Sequence, residues 1–426
     1  MSVVDIARTA GGIARTTGAQ VARTPQRVRS TGSHLALLTA PRRRIHWSPG
    51  FYEPPAGLEA LAPGELIRAE PMHAYLMPGV RLRARAWRIL YRCTGAMGEP
   101  TAVSGTLLLP AGVRSGSALP LIAYAVATHG IGDDAAPSRL LSVGLDWEAT
   151  PIALVLARGY AVVATDYQGL GTPGDHTYMV GRALGRNVLD AIRAARQLAP
   201  MELPSAGPVA IMGYSEGGTA AAWAGQLQPS YAPELELAGV AAGAPAADVE
   251  LAGPTLDGSF FSFFVAYGAI GFAAAYPELE LEPYLVGQGS EVLDALRQTN
   301  ILQAAFRGPR FARVERLTEP NVLGLPPWRS RLRENRLGDI APSAPMLLHH
   351  SRHDQLVAFE QSEQLLEDWR ALGVDVSLRS TRGGFDHITG AVAGGPVALD
   401  WLGRQIARHS SAQLTGRAAP SHRQAA

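Results

Sequence analysis

The stretch of sequence that decides the fold is Val209-Ala-Ile-Met-Gly-Tyr-Ser215-Glu-Gly-Gly218. An apolar run ends at Gly213, and an alanine-rich segment of helical character begins just after Ser215. This pattern predicts a strand, a sharp turn that carries the serine, and a helix, which together form a nucleophile elbow. The turn is strained, so the residues two before and two after the serine, Gly213 and Gly217, must be small. The backbone N–H of Glu216 then lies at a helix start, where it can meet developing negative charge.

Candidate partners for Ser215 follow it along the chain in the order acid, then histidine, that this type of sheet requires. The apolar run 346–350 predicts a strand that leads into Asp354, and a glycine-rich loop before the last predicted helix ends at His387. Both residues would lie at the carboxyl ends of strands, where such sheets assemble their sites. A serine hydroxyl needs a base to take its proton, and the base needs a carboxylate to orient it. We therefore expect Ser215 as nucleophile, His387 as base and Asp354 as acid.

Two alternatives to this assignment stay open. Asp386 adjoins the histidine and is a second candidate acid, although neighbouring side chains usually point apart. The histidines near Asp354, which are His349, His350 and His353, are compatible with a metal site. Because His349 and His350 should alternate across a strand, the sequence favours packed or loop histidines and predicts no metal.

A second donor to an oxyanion is expected in the loop after the predicted strand 119–127. That loop, 128–138, begins Thr-His-Gly-Ile-Gly, and a His-Gly pair suits a tight turn whose amides face a pocket. We expect the N–H of Ile131 to act with that of Glu216. Gly130 and Tyr214 are expected to contact the substrate.

Apolar runs and helical spacing alternate along the rest of the chain. The runs 81–93 and 102–109, separated by a turn at 95–98, predict an antiparallel hairpin. Further strands are predicted at 119–127, 161–165, 209–213, 237–242, 346–350 and 374–378, and helices at 147–158, 181–198 and 391–407. This order predicts an α/β fold whose mostly parallel sheet is covered by helices on both faces.

The alternation stops near Pro245 and resumes at Pro345, with mainly helical patterns between them. An insertion at this point predicts a helical cap, or lid. Within it, the segment 259–277 carries no charged residue and includes a cluster of four phenylalanines, Phe260, Phe261, Phe263 and Phe264. A membrane span here would place the two halves of one sheet on opposite sides of a bilayer. The segment is therefore expected to be a buried cap helix, an apolar wall for an acyl chain, or both.

Composition sets the outer boundaries of the domains. Residues 1–47 contain eight arginines and one acid, Asp5, which predicts a disordered basic tail, with weak attachment to an anionic membrane as its functional interpretation. The core is expected in 48–248 and 340–408, the cap in 249–339, and a second disordered tail in 409–426. No secretory signal is recognisable, which favours a cytoplasmic or peripherally membrane-associated protein over a secreted one.

The composition also excludes several kinds of chemistry. The chain of 426 residues has a formal net charge of +1, which gives no electrostatic case for a nucleic-acid partner. Its 38 basic residues are all arginine, so a pyridoxal Schiff base, a P-loop lysine and a Ser-Lys dyad are excluded. The single cysteine, Cys93, is expected to be a small packed residue of a strand. No cofactor is predicted.

Several stretches of the chain resemble the secretory lipase family of α/β-hydrolases. They are Gly213-Tyr-Ser-Glu-Gly217, Thr165-Asp-Tyr-Gln-Gly-Leu-Gly171, Phe51-Tyr-Glu-Pro-Pro-Ala-Gly57, Tyr91-Arg-Cys-Thr and Val103-Ser-Gly-Thr-Leu-Leu-Leu-Pro110. The resemblance spans residues 48–408. It implies the α/β-hydrolase fold with a helical cap, a Ser215–Asp354–His387 triad, and hydrolysis of carboxylic esters, often of acyl glycerols. The sequence departs from the family at the oxyanion loop, which commonly runs His-Gly-Thr-Thr-Gly and here is His-Gly-Ile-Gly.

The sequence therefore predicts a serine-dependent carboxylic ester hydrolase, a lipase or esterase that forms an acyl-enzyme. One alternative is an acyltransferase that passes the acyl group from the same serine to an alcohol or sugar. A more remote alternative is a non-catalytic binding protein with a hydrolase fold. The expected partner is an ester or lipid substrate, with peripheral contact to a membrane or lipid interface.

Overall fold

The computed structural model describes residues 50–113, 119–198, 207–308, 311–381 and 386–417. The predicted tail 1–47 lies outside these residues. Within them, nine strands form one sheet and two more form a small hairpin. The strands are β1 (Leu66–Met72), β2 (Tyr75–Met77), β3 (Val80–Arg81), β4 (Ala84–Thr94), β5 (Pro100–Pro110), β6 (Leu121–Ala125), β7 (Ala161–Thr165), β8 (Val209–Tyr214), β9 (Leu237–Gly243), β10 (Met346–Ser351) and β11 (Val376–Thr381).

The large sheet has the strand order β1-β4-β5-β7-β6-β8-β9-β10-β11. Its first three pairings are antiparallel, and every pairing from β7 onward is parallel. Strands β6 to β10 are buried along their whole length. A strand covered on both faces requires a continuous apolar run, which is why these five runs were the clearest in the sequence.

Helices cover both faces of the sheet. This is visible at two neighbouring positions of β9, where a Cβ added to Gly239 would lie 3.1 Å from Trp401, while the side chain of Val240 points toward Gly225 on the other face. The helices are α1 (Pro137–Val143), α2 (Ala149–Ala157), α3 (Gly181–Leu198), α4 (Glu216–Tyr231), α5 (Val249–Leu256), α6 (Phe263–Ala275), α7 (Gly289–Leu296), α8 (Ile301–Arg307), α9 (Pro326–Glu334), α10 (Phe359–Ala371) and α11 (His387–Arg417).

Helices α5 to α9 form the cap, inserted between β9 and β10. The cap has its own apolar cluster, centred on Phe263, Tyr267, Phe272 and Trp328, all of which are buried. Helix α6 contains the uncharged stretch singled out in the sequence and is apolar on all sides, as expected of a helix enclosed by others. No helix within the described residues has the length and apolar character to cross a membrane.

The predicted fold class is confirmed: a mostly parallel sheet with helices on both faces and an inserted helical cap. Several elements differ from prediction, and helices α1 and α10 are among those that were not predicted. Strand β1 was not predicted, because it is a half-exposed edge strand that contains Arg68, Glu70 and Pro71. Helix α11 continues to Arg417, so the prediction of a disordered tail from 409 is wrong for 409–417. The residues 409–415 contain no glycine or proline that would end the helix.

Candidate active site

Ser215 occupies the turn between β8 and α4. Its φ of 60° and ψ of −121° are a backbone conformation that residues other than glycine rarely adopt. The tight packing around this turn explains the glycines. A Cβ added to Gly213 would lie 2.3 Å from the carbonyl oxygen of Gly217, and one added to Gly217 would lie 2.0 Å from that of Ala125. The turn is held from the next strand, because the N–H of Ser215 donates to the carbonyl of Gly243 at 2.8 Å.

The three predicted partners lie in hydrogen-bond contact. His387 Nε2 is 2.9 Å from Ser215 Oγ, and His387 Nδ1 is 2.6 Å from Asp354 Oδ2. Asp354 follows β10, and His387 begins α11, so both come from the carboxyl edge of the sheet. Because a carboxylate can only accept, Nδ1 of His387 carries a proton, which leaves Nε2 of a singly protonated ring free to accept from the serine hydroxyl.

Asp354 is held by more donors than the sequence predicted. Its Oδ1 accepts the N–H groups of Leu356 and Val357, both at 2.9 Å, and its Oδ2 also accepts from His350 Nε2 at 3.1 Å. Burial raises the pKa of Asp354, but the hydrogen bonds from His350 and His387 outweigh it and hold that pKa well below its usual range. The carboxylate of Asp354 is therefore ionised at neutral pH.

His350 was not predicted to contribute to this site. Its Nε2 faces two oxygens, those of Asp354 and of the Val357 carbonyl at 3.1 Å, so Nε2 carries the proton. Its Nδ1 then accepts from the Ser362 hydroxyl at 2.8 Å. Sequence spacing alone could not assign this role, because the partner hydroxyl lies on α10.

Asp386, the rival acid, caps a helix. Its carboxylate accepts from both the N–H and the hydroxyl of Thr389, at 2.8 and 2.7 Å, and the hydroxyl of Thr389 in turn accepts from the N–H of Asp386. The two other histidines near Asp354 have different environments from that of His350. His349 packs beside the ring of Tyr214 and its pKa is lowered to about 4 by burial, whereas His353 is exposed.

The prediction of Ile131 as an oxyanion donor is wrong for the structure as described. Its N–H donates to the carbonyl of Thr299 in the cap at 3.2 Å, and the N–H of Gly132 donates to the same oxygen. The N–H of Ile301 donates in return to His129, so a short antiparallel bridge joins the cap to this loop. The partner segment lies far along the chain, so no local pattern could show that the amide is occupied.

Gly130 serves the same bridge and does not line the cavity beside Ser215, which corrects its predicted contact with substrate. It has φ 135°, and an added Cβ would lie 2.5 Å from Asn300 Cα. Its glycine is thus required by the close approach of the cap backbone.

The loop is anchored from beneath by His129. Its Nδ1 is 2.7 Å from the carbonyl of Ala127 and its Nε2 is 3.0 Å from Asp146. Burial lowers the pKa of His129, but the nearby Asp146 carboxylate raises it by more, so that the pKa is about 9. Both ring nitrogens face acceptors, so the ring is a buried imidazolium. Glu148 completes the anchor by accepting the N–H of Ala127 at 2.8 Å.

A cavity of about 400 Å³ lies between the elbow and the cap, and its lining is mainly apolar. Ser215, Glu216 and Tyr178 line it from the core. The cap contributes residues from α5, α6 and α9, among them Phe264, Gly268, Phe272, Trp328 and Leu332. An enclosed apolar space beside a serine hydroxyl suits an acyl chain.

Only one of the four predicted phenylalanines lines this cavity. Phe264 does, whereas Phe263 is buried in the cap core and Phe260 and Phe261 pack on one another. Tyr214 is also absent from the lining. Its hydroxyl donates to the carbonyl of His387 at 2.8 Å, so it supports the histidine and does not contact the cavity.

Glu216 follows the serine and begins α4, so its N–H belongs to the first turn, whose amides have no helical partner. Its side chain points into the core, where Oε1 is 2.8 Å from His176 Nε2 and both groups are buried. The other ring nitrogen of His176 is 2.9 Å from the carbonyl of Gln168. This pair fixes the start of the helix directly behind Ser215.

Known proteins resemble this chain over most of its length. The family model described as Secretory lipase matches residues 135–415. Lipase 4 of Candida albicans is 29% identical and the match covers 83% of this chain and 80% of that protein. "Probable inactive lipase MT1628" of Mycobacterium tuberculosis is 28% identical with the same coverage of both chains. The crystal structure of Candida antarctica lipase A is 25% identical, with a TM-score of 0.76 over 84% of this chain and 85% of that chain.

These matches correct the predicted localisation. The family is one of secretory lipases, and a relative from Malassezia globosa, 29% identical over 77% of this chain and 74% of its own, is a secreted triacylglycerol lipase. They point to secretion, so the expectation that favoured a cytoplasmic or peripherally membrane-associated protein over a secreted one is wrong. The absence of a recognisable signal was a poor guide, because it rested on the first residues of the sequence, which lie outside the residues 135–415 that the family model matches. The chain belongs to the secretory lipase family, a group of lipase and esterase hydrolases with the α/β-hydrolase fold.

Proposed function

We propose that this protein hydrolyses carboxylic esters through an acyl-enzyme formed on Ser215. The observation that carries the proposal is the continuous line of contacts from Ser215 Oγ through His387 to Asp354, at 2.9 and 2.6 Å. This is the arrangement in which a serine oxygen attacks a carbonyl while a histidine takes its proton. The M. tuberculosis relative is named a probable inactive lipase, whereas in this chain the three side chains are present and in contact.

The reaction would proceed in two halves. Ser215 Oγ attacks the ester carbonyl carbon as its proton passes to His387 Nε2, and the imidazolium then protonates the leaving alcohol oxygen. In the second half, His387 Nε2 takes a proton from a water molecule as that water attacks the acyl-enzyme carbonyl. The histidine then returns the proton to Ser215 Oγ, which releases the carboxylic acid and restores the serine. Throughout, Asp354 fixes the Nδ1 tautomer and stabilises the positive ring.

The oxyanion would be held by two backbone N–H groups. One is that of Glu216, at the start of α4. The second comes from the loop anchored by His129. The amides of Ala127, Ile131 and Gly132 already donate elsewhere, whereas within the described residues those of Thr128 and His129 have no backbone acceptor. Each such donor typically stabilises the transition state by about 3 kcal/mol.

The cavity supports a lipid-type acyl group as substrate. Its walls are largely apolar, and it lies next to Ser215 between the elbow and the cap. Several relatives are lipases by name, which favours acyl esters of this kind.

The test is the hydrolysis of p-nitrophenyl esters, from acetate to palmitate, by the wild-type protein and Ser215→Ala. We expect the variant to lose at least about 10³-fold in kcat with an unchanged melting temperature. Hydrolysis that persists in Ser215→Ala would exclude the mechanism. Product analysis with a competing alcohol separates the acceptors, because ester exchange exceeding hydrolysis at low alcohol concentration would make the protein an acyltransferase.

A further inference from the structure

Two segments of the cap lie side by side at the edge of the cavity. The N–H of Phe311 donates to the carbonyl of Ser259 at 2.8 Å, and that of Gly258 donates to Ala312 at 2.9 Å. Directly beside these bonds, the N–H of Val314 donates to the carboxylate of Asp257 at 2.8 Å. Asp257 and Val314 are themselves lining residues of the cavity that contains Ser215. The paired segments are therefore continuous with the proposed substrate site.

Phe311 is held at this edge at an energetic cost. Its φ is 59°, which is the left-handed region that bulky side chains avoid, and its side chain is 64% exposed. Neither cost is recovered by burial, because the one ring contact of Phe311 within the described part of the chain is with Phe260, at 6.1 Å between ring centroids. A strained residue that displays an apolar ring to solvent indicates a surface that binds something.

The same edge displays positive charge. Arg313 and Arg316 are exposed, and neither makes an ion pair with any described residue. Other cap arginines are paired, since Arg297, Arg331 and Arg336 each contact carboxylates within 3 Å. Among the described residues 311–316 there are two arginines and a single acid, Glu315, so the net charge of this segment is positive.

We infer that the surface formed by Phe260, Phe311, Arg313 and Arg316, the cap edge, docks on a lipid surface that bears anionic headgroups. An exposed aromatic ring inserts at the boundary between headgroups and acyl chains, and arginines beside it attract the anionic headgroups. Docking by this edge would bring the cavity that contains Ser215 against the lipid. The inference deepens the proposed function, because it names the surface from which the ester is taken.

The test is cosedimentation of the full-length protein with vesicles of ether-linked phospholipid, which cannot be hydrolysed, either neutral or with 30% anionic headgroups. Arginines near such a surface contribute about fivefold each to binding, so the double variant Arg313→Gln/Arg316→Gln should bind anionic vesicles roughly 25-fold more weakly. The matched control Arg404→Gln/Arg408→Gln removes two exposed arginines of α11 and should change binding less than twofold.

The aromatic ring is tested separately. Phe311→Ser should weaken binding to neutral and anionic vesicles alike by roughly tenfold, while Leu372→Ser, at an exposed leucine of similar character outside the cap, should not. Phe311→Gly should lose binding equally without a fall in melting temperature, because glycine relieves the left-handed strain. This result separates a binding role from a folding role.

The inference is overturned if the cap-edge variants bind vesicles as the wild type does, or if the control variants lose as much. It is also overturned if wild-type protein forms a concentration-dependent dimer that the Phe311 variants abolish, since the surface would then belong to a second copy. Vesicle binding requires no turnover, so its failure is distinct from loss of the serine chemistry, which hydrolysis of the soluble acetate ester measures separately.

Discussion

His350 donates its Nε2–H to the same oxygen of Asp354 that accepts the Nδ1–H of His387. Asp354 thus lies between two imidazoles. The ring of His387 faces the serine, while the ring of His350 is held by a hydrogen bond to Ser362 of α10. The second ring does not touch the substrate space, because it is buried behind the carboxylate. His350 is therefore a positioning residue for the acid of the proposed triad.

Removing the His350 donor should leave Asp354 less firmly positioned and its ionised form less stabilised. We expect His350→Leu to lower kcat/KM by roughly tenfold or more, since a hydrogen bond to a charged group contributes about 1.5–3 kcal/mol. The ionised form of Asp354, whose pKa is depressed, stabilises the fold above its ordinary pKa, and that stability is lost as the pH falls. Acid unfolding of the variant should therefore shift to higher pH, as followed by circular dichroism. His350→Gln, which retains a donor, should recover part of both losses, and equal losses in the two variants would argue against the role.

The two acids should separate cleanly in rate and stability. Asp354→Asn should reduce kcat by about 10⁴-fold, because the amide favours the wrong tautomer of His387. Asp386→Ala should cost about 1 kcal/mol of unfolding free energy through the lost helix cap, with only a small change in rate. Steady-state kinetics and urea unfolding of both variants measure this. A larger rate loss in Asp386→Ala would reassign the acid.

The chain length accepted by the cavity should depend on Gly268. An added Cβ there meets nothing within 4 Å, so the open space beside it belongs to the cavity that Gly268 lines. Gly268→Leu should fill that space and reduce hydrolysis of long acyl esters at least about tenfold more than that of acetate. Gly395→Leu is a matched control, because Gly395 is also helical with open space around it but lies on α11. A parallel loss for all esters in Gly268→Leu would contradict the prediction.

The bridge between cap and loop should be sensitive to one methyl group. Gly130→Ala places a Cβ against Asn300 at a positive φ, so the cap segment must move and the loop amides with it. We expect kcat to fall at least about tenfold, with a loss of roughly 2–4 kcal/mol in stability. Gly79→Ala has a similarly positive φ of 81° but open space, and should cost only about 1 kcal/mol without a loss of rate. Normal activity in Gly130→Ala would mean that the bridge does not set the loop.

Stability should fall in alkaline solution because of His129. Its pKa of about 9 lies above the ordinary 6.5, so the stability from its charged form is complete below about pH 6.5 and is lost as the pH rises through 9. The full effect is about 3 kcal/mol for a group this buried. Melting temperatures between pH 6 and 10 should decline for the wild type and decline less for His129→Asn. Identical pH profiles would show that the ring is neutral in the folded protein.

The comparison of sequence with structure shows which features local patterns determine. Ser215 and Asp354 could be placed because each follows a strand with a clear apolar run, and His387 because a glycine-rich loop precedes the last predicted helix. The order of these elements brings the three residues together. The roles of His350 and Ile131 could not be placed, because they depend on partners from other elements, a hydroxyl on α10 for His350 and the Thr299 carbonyl of the cap for Ile131. The phenylalanines show the same limit, since an apolar helix such as α6 gives no periodicity to tell which side faces a cavity.

The central claim is that Ser215 is the nucleophile, and covalent labelling tests it most directly. After treatment with a fluorophosphonate, the wild-type protein should gain the mass of one adduct, mapped by peptide mass spectrometry to the segment 207–231. Ser215→Ala should gain none, while its melting temperature stays unchanged. An adduct on a different residue, or labelling of Ser215→Ala equal to that of the wild type, would contradict the account.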